Sequence, residues 1–178
     1  MKLYVLRHGE TVWNRAGIIQ GKSQNRLSKM GKQQAENVGK IFADKNIDLI
    51  ISSPIFRTIQ TANIVNKYVN KKLIKDSRIT ETDQGIYTKI KKQNLTSEQR
   101  AKKNMHLKED GMESYLEVYK RVENFIQDIK IKYTNNNLLI VTHQLPAQFF
   151  EVCLIHKKYV DKSLIKPLTN AEFREFEL

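Results

Sequence analysis

Four short apolar runs constrain this chain most: KLYVL at 2–6, IDLIISS at 47–53, KLIKD at 72–76 and LLIVT at 138–142. Runs this short and this rich in β-branched residues read as strands, buried inside a sheet at 2–6, 47–53 and 138–142 and simply short at 72–76. Helical patterns separate them. Ser28 is a good N-cap, and Met30, Ala35, Val38, Ile41 and Phe42 recur at helical spacing towards Asp44. Ile55, Ile59, Ala62, Ile64 and Val65 give 55–69 an apolar face. From Ser114 to Tyr133 the apolar positions form a wide helical stripe, and 145–156 reads as a helix with Pro146 in its tolerated first turn. AEFREFE at 171–177 alternates like an edge strand. Residues 9–27 read as a long polar loop. The lysine-rich stretch 82–112 reads as an insertion over one end of the sheet, with a short helix near 96–104.

Strands alternating with helices predict an α/β fold. The expected architecture is a three-layer α/β/α sandwich: a mostly parallel central sheet, helices on both faces and a small cap insertion, all in one domain over 1–178. Ligands of such sheets bind beyond the carboxyl ends of the strands. Arg7 and His8, the stretch Ser52 to Arg57, the stretch Arg78 to Glu81, and His143 should therefore gather at one edge.

Composition narrows the classes. The 178 residues are 40% hydrophobic and 28% charged, as in a globular chain, and no apolar run is long enough to span a bilayer. The opening strand pattern leaves no cleavable signal, so a soluble, cytoplasmic protein is expected. The net charge of +12, from 31 Lys+Arg against 19 Asp+Glu, favours anionic partners. The lysines are scattered without an aromatic-interleaved basic stripe, which argues against nucleic acid. Cys153 is the only cysteine and sits in an apolar stretch, as a core residue would. The four histidines show no ligand spacing, so no metal site and no cofactor are expected. GIIQGKS at 17–23 approaches a phosphate-binding loop but departs from its spacing.

The strongest chemistry lies in RHGETVWN at 7–14. A histidine leaving a buried strand can be held rigidly, and a neutral imidazole is a nucleophile toward phosphorus. The adjacent Arg7 favours that neutral form and offers a fork of donors for phosphate oxygens. Gly9 would let a phosphoryl group approach the backbone, and Asn14 could donate to one of its oxygens. Arg57 falls in the first turn of a helix, whose N-terminus favours anions. Glu81 could protonate a leaving oxygen and then activate water, with Asp83 as the competing carboxylate. Each segment alone also fits an ordinary loop or capped helix.

Together, however, these segments resemble the histidine phosphatase superfamily, also called phosphoglycerate mutase-like proteins. The resemblance runs in order through RHGETVWN, GIIQGKSQNRLSKMGKQQA at 17–35, SSPIFRTIQTA at 52–62, RITETDQG at 78–85, GMESYLEVYKRV at 111–122 and VTHQ at 141–144. It implies that His8 becomes a phosphohistidine. Arg7, Asn14, Arg57 and His143 would bind the phosphoryl group, with Gln20 and Gly21 beside the substrate, and Glu81 would be the proton donor. No metal is implied. The substrate would be a small phosphorylated metabolite, and phosphate or sulfate would fit the same site. Gln144 replaces a usual glycine, Gln24 and Arg26 replace a common Asp and Pro, and IYTKIK after Gly85 departs from type. The short chain favours a phosphatase. The alternatives are a phosphoglycerate mutase, a sugar-phosphate or α-ribazole-phosphate type of phosphatase, and a non-catalytic phosphate or nucleic-acid binder.

Overall fold

In the computed structural model, which describes residues 1–106 and 108–178 without the side chains of Glu109 and Lys162, the apolar runs are strands of one sheet. They are β1 (Lys2–Arg7), β2 (Leu49–Ser52), β3 (Lys72–Lys75), β4 (Leu138–Thr142) and β5 (Phe173–Glu177). Their order across the sheet is β3-β2-β4-β1-β5. All neighbours run parallel except β5, which pairs antiparallel with β1 as an edge.

The central strands are buried on both sides because their side chains alternate between two cores. Leu3, Val5, Leu49, Ile51, Leu138 and Ile140 face one core with Phe125, Ile129, Phe149 and Phe150. Tyr4, Leu6, Ile50, Leu139 and Val141 face the other with Val38, Phe42, Ala62 and Val65. The first core is closed by α5 (Tyr115–Lys132) and α6 (Gln144–Glu151), the second by α2 (Lys29–Ala43) and α3 (Phe56–Val69). Ser28 and Ser114 cap α2 and α5, accepting from the backbone N–H groups of Gly31 and Glu117.

Several expected boundaries shift. The loop 9–27 contains a one-turn helix, α1 (Val12–Arg15), because Thr11 and Asn14 form a capping box around it. Helix α3 begins one residue late, at Phe56, and Pro54 lies outside it. The last turns of the 145–156 helix widen into a π-helix over Val152–His156. The insertion 82–112, of which residue 107 lies outside the described residues, holds 3₁₀ turns and α4 (Ser97–Met105). Its Tyr87, Leu95 and Met112 form a third apolar cluster with Ile19 of the 9–27 loop. Among the described residues, no helix is long and apolar enough to cross a membrane.

Candidate active site

The chain passes from β1 to β2, leaves a gap, and later fills it with β4. The helices that follow β1 and β4 lie on opposite faces, so a crevice opens beyond the carboxyl ends of those two strands. Arg7 pairs with Thr142 in register, and the His8 backbone N–H donates to Thr142 O at 3.0 Å. The next residue on each strand is a histidine. The rings of His8 and His143 meet edge to face with centroids 5.3 Å apart.

The partners of His8 fix its tautomer. Its Nδ1 lies 2.7 Å from Gly9 O, an acceptor, and so carries the proton. Its Nε2 accepts from Arg57 Nε at 3.1 Å and so presents the lone pair. Burial is the main cause that lowers the His8 pKa well below the ordinary histidine value, and the charges of Arg57 and then Arg7 lower it further. His8 is therefore neutral at neutral pH, with its unprotonated nitrogen on the side of the guanidinium.

Arg57 is 1% exposed and donates from each of its three nitrogens, which leaves one N–H on each Nη for a ligand. Besides His8, it donates to Ser23 O and Gly21 O, each at 2.9 Å. Burial lowers its pKa to about 10, with Glu81 opposing the shift and Arg7 adding to it, so it stays a cation at neutral pH. Arg7 donates through Nη1 to Leu168 O at 2.6 Å, while its buried Nε has no partner among the described residues. Asn14 spends its acceptor on Thr11, receiving from the Thr11 backbone N–H at 3.0 Å with the Thr11 hydroxyl at 2.9 Å. That leaves its amide protons for a ligand. The Gln20 carbonyl oxygen sits 3.0 Å from the same hydroxyl. Glu81 accepts from the Thr82 N–H at 3.0 Å.

Arg7, His8, Asn14, Gln20, Gly21, Arg57 and Glu81 line one cavity of about 200 Å³. The structure thus brings together the residues expected to share a site, with two qualifications. His143 is completely buried behind His8, with Nε2 within 2.9 Å of Ser53 Oγ, and is not part of the lining. Among the described residues its Nδ1 has no partner, and burial followed by the Arg57 charge drives its pKa well below the ordinary value. Arg78 turns away from the edge altogether: Asp76 holds it at 2.7 Å and Asp128 at 2.8 Å against α5. Asp83 lies outside this cavity, beside Lys22 at 3.8 Å.

The reason for Gly9 also changes. A Cβ there would stand 2.4 Å from Gly31 O, and one on Gly31 would stand 1.9 Å from Glu10 O. The two glycines let the start of α2 lie directly on the backbone whose carbonyl orients His8.

Sequence reasoning missed the segment before β5. Asn170 Nδ2 donates to His8 O at 3.1 Å, and the Ala171 N–H is shared between Arg7 O and His8 O, each at 3.2 Å. Ala171 adopts φ of +59°, a costly conformation for a residue with a Cβ. The Asn-Ala pair offered a turn signal, but nothing in it indicated contact with residue 8. Among the described residues, no group of three or more His, Cys, Asp or Glu is arranged to hold a metal ion.

A buried neutral imidazole backed by two guanidinium groups at the edge of an α/β sheet defines a phosphate-handling site. The chain belongs to the histidine phosphatase superfamily (branch 1), whose family model matches residues 3–177. Phosphoserine phosphatase 1 of Hydrogenobacter thermophilus is 30% identical over 161 residues, covering 87% of this chain and 76% of that one. A probable phosphoglycerate mutase, GpmB, of Erwinia tasmaniensis is 32% identical over 149 residues, covering 80% and 69%. The fold matches a mycobacterial glucosyl-3-phosphoglycerate phosphatase complexed with VO3 at a TM-score of 0.90, with 19% identity over 98% of this chain and 90% of that one. A mutant phosphoserine phosphatase of Entamoeba histolytica, in complex with phosphoserine, matches at 0.79 with 25% identity over 99% and 90%.

Proposed function

We propose that the protein hydrolyses a small phosphomonoester through a phosphohistidine formed on His8. The observation that carries this reading is the unprotonated Nε2 of His8, held on the Arg57 side by two hydrogen bonds of opposite sense. In the first step that nitrogen attacks phosphorus in line and the ester P–O bond breaks. Glu81, as the acid, gives its proton to the departing oxygen. Arg57, Arg7 and Asn14 hold the phosphoryl oxygens while charge is redistributed over them. In the second step Glu81, now a carboxylate, takes a proton from water. The hydroxyl attacks phosphorus, the N–P bond breaks, and phosphate leaves. His8 keeps its Nδ1 proton on Gly9 O throughout. His143, whose ring meets that of His8 edge to face, supports the nucleophile from behind. The chain acts as one domain, with 82–112 as its cap.

A mutase is the second reading, favoured by the similarity to the probable phosphoglycerate mutase. Hydrolysis agrees with the phosphoserine and glucosyl-3-phosphoglycerate phosphatases among its relatives. One experiment tests both. Purified protein is given an aryl phosphate or 3-phosphoglycerate, and phosphate release, isomer exchange and an acid-labile phosphoryl group on the protein are followed. Release of phosphate with labelling at His8, both lost in His8→Ala, is expected. Hydrolysis that survives His8→Ala would overturn the reading, and isomer exchange without release would replace it with the mutase.

A further inference from the structure

The candidate acid, Glu81, lines the cavity from a stretch that is neither helix nor strand. A 3₁₀ turn over Ser77–Ile79 ends shortly before it, and residues 80–83 follow without regular structure. A side chain on such a loop depends on bonds to a rigid scaffold for its placement. A general acid also works only within hydrogen-bond reach of the departing oxygen. The bonds that fix the Glu81 loop come from one ion pair.

Glu113 directly precedes Ser114, the cap of α5, and Arg121 lies in the second turn of that helix. Arg121 grips Glu113 with two nitrogens: Nε donates to Oε1 at 2.6 Å and Nη2 to Oε2 at 3.1 Å. Its Nη1 donates to Arg78 O, ahead of Glu81 in the chain. Glu113 holds the other end of the loop, beyond Glu81. Its Oε2 accepts from the Asp83 N–H at 3.3 Å, and its own N–H donates to Asp83 O at 3.2 Å. The Thr142 hydroxyl, at the end of β4, adds a bond to Ile79 O at 2.7 Å. Lys22 also approaches Glu113 Oε2, at 3.7 Å from a more exposed position. The Arg121 and Glu113 side chains are only 16% and 14% exposed, so water competes little for their bonds. Neither side chain lines the cavity.

We propose that Arg121 and Glu113 are positioning residues for the acid step, clamping both ends of the loop that presents Glu81 to the departing oxygen. The inference rests on the phosphatase reading, with Glu81 as its acid, and adds a pair that touches no substrate. A well-placed general acid is worth about 10²–10⁴-fold, and a displacement of about 1 Å can cost about 10²-fold. Loosening the loop should therefore cost about tenfold or more, and only where the proton is needed. Phenol is a poor leaving group and needs it; a dinitrophenolate leaves without it.

The test compares kcat/KM for phenyl phosphate and dinitrophenyl phosphate, because that ratio reports the steps up to departure of the alcohol. The proteins are the wild type, Arg121→Lys, Glu113→Gln, Glu81→Gln, and Arg121→Lys combined with Glu81→Gln. An ammonium keeps the charge of Arg121 but cannot span Arg78 O and both carboxylate oxygens. Arg121→Lys and Glu113→Gln should each lower kcat/KM for phenyl phosphate by about tenfold or more and for dinitrophenyl phosphate by less than about threefold, the pattern expected of Glu81→Gln. In the combined variant Arg121→Lys should add less than about threefold to the loss from Glu81→Gln, since the acid it would misplace is gone. Equal losses on both esters, no loss on either, or losses that multiply in the combined variant overturn the inference. If circular dichroism shows one of the two single variants unfolded, the other decides. Failure of both to fold would make the pair a folding element and overturn the positioning role. A wild type that hydrolyses neither ester, or a Glu81→Gln that slows both alike, is a different failure, that of the phosphatase reading itself.

Discussion

Arg57→Lys separates the charge of the central guanidinium from its geometry. The arginine holds three groups at once: His8 Nε2 at 3.1 Å and the carbonyls of Ser23 and Gly21, each at 2.9 Å. An ammonium keeps the charge but concentrates its donors on one atom and cannot span all three. At least one carbonyl and the tautomer-fixing bond to His8 should be lost. Loss of one preorganised donor to a developing anion lowers turnover by about 10²–10³-fold. Each orphaned carbonyl costs about 1 kcal/mol of stability where water can reach it. The melting temperature should then fall by about 2–4 °C per kcal/mol for a chain of this size. Steady-state hydrolysis of phenyl phosphate and thermal unfolding measure the two effects on one preparation. Turnover within threefold of wild type would show that charge alone suffices and that the fork geometry carries nothing.

Four further outcomes follow from the packing around His8. His8 and His143 have folded-state pKa values depressed by burial. Below the ordinary value of about 6.5 the unfolded chain therefore binds protons that the folded one refuses, so stability falls as pH drops from there, by up to about 1.4 kcal/mol per pH unit per histidine. Unfolding followed from pH 7 to pH 5 should show a shallower slope in His8→Asn, and an identical slope would contradict the assigned burial. Gly31→Ala forces a methyl group into Glu10 O and should cost about 1–3 kcal/mol in urea unfolding, with turnover falling as the Gly9 carbonyl moves; a neutral result would remove the close-packing argument. Asn170→Ala should lower kcat more than it changes KM and cost about 1 kcal/mol, whereas Ala171→Gly, which relieves a positive φ, should raise the melting temperature.

The central strands β1, β2 and β4 were legible because burial on both faces leaves continuous apolar runs, and the caps of α2 and α5 because Ser28 and Ser114 each precede an apolar periodicity. The parallel sheet follows from that alternation, and from it follows the edge where His8, Arg57 and Glu81 meet. Local spacing says nothing about contacts between distant loops. By its position after β3, Arg78 is expected at the sheet edge with Glu81, yet the nearby Asp76 and the distant Asp128 claim it. Gly9 reads as room for a ligand, yet the backbone at Gly31 fills that side.

By itself, then, the sequence determined the layered sheet and the order of its helices, which depend on patterns a few residues long. Only the tertiary structure decided which nitrogen of His8 carries the proton, that Asn170 grips its carbonyl, and that Arg121 and Glu113 hold the loop of Glu81. Those outcomes depend on hydrogen bonds and packing between segments as much as 162 residues apart, where no local preference can choose the partner.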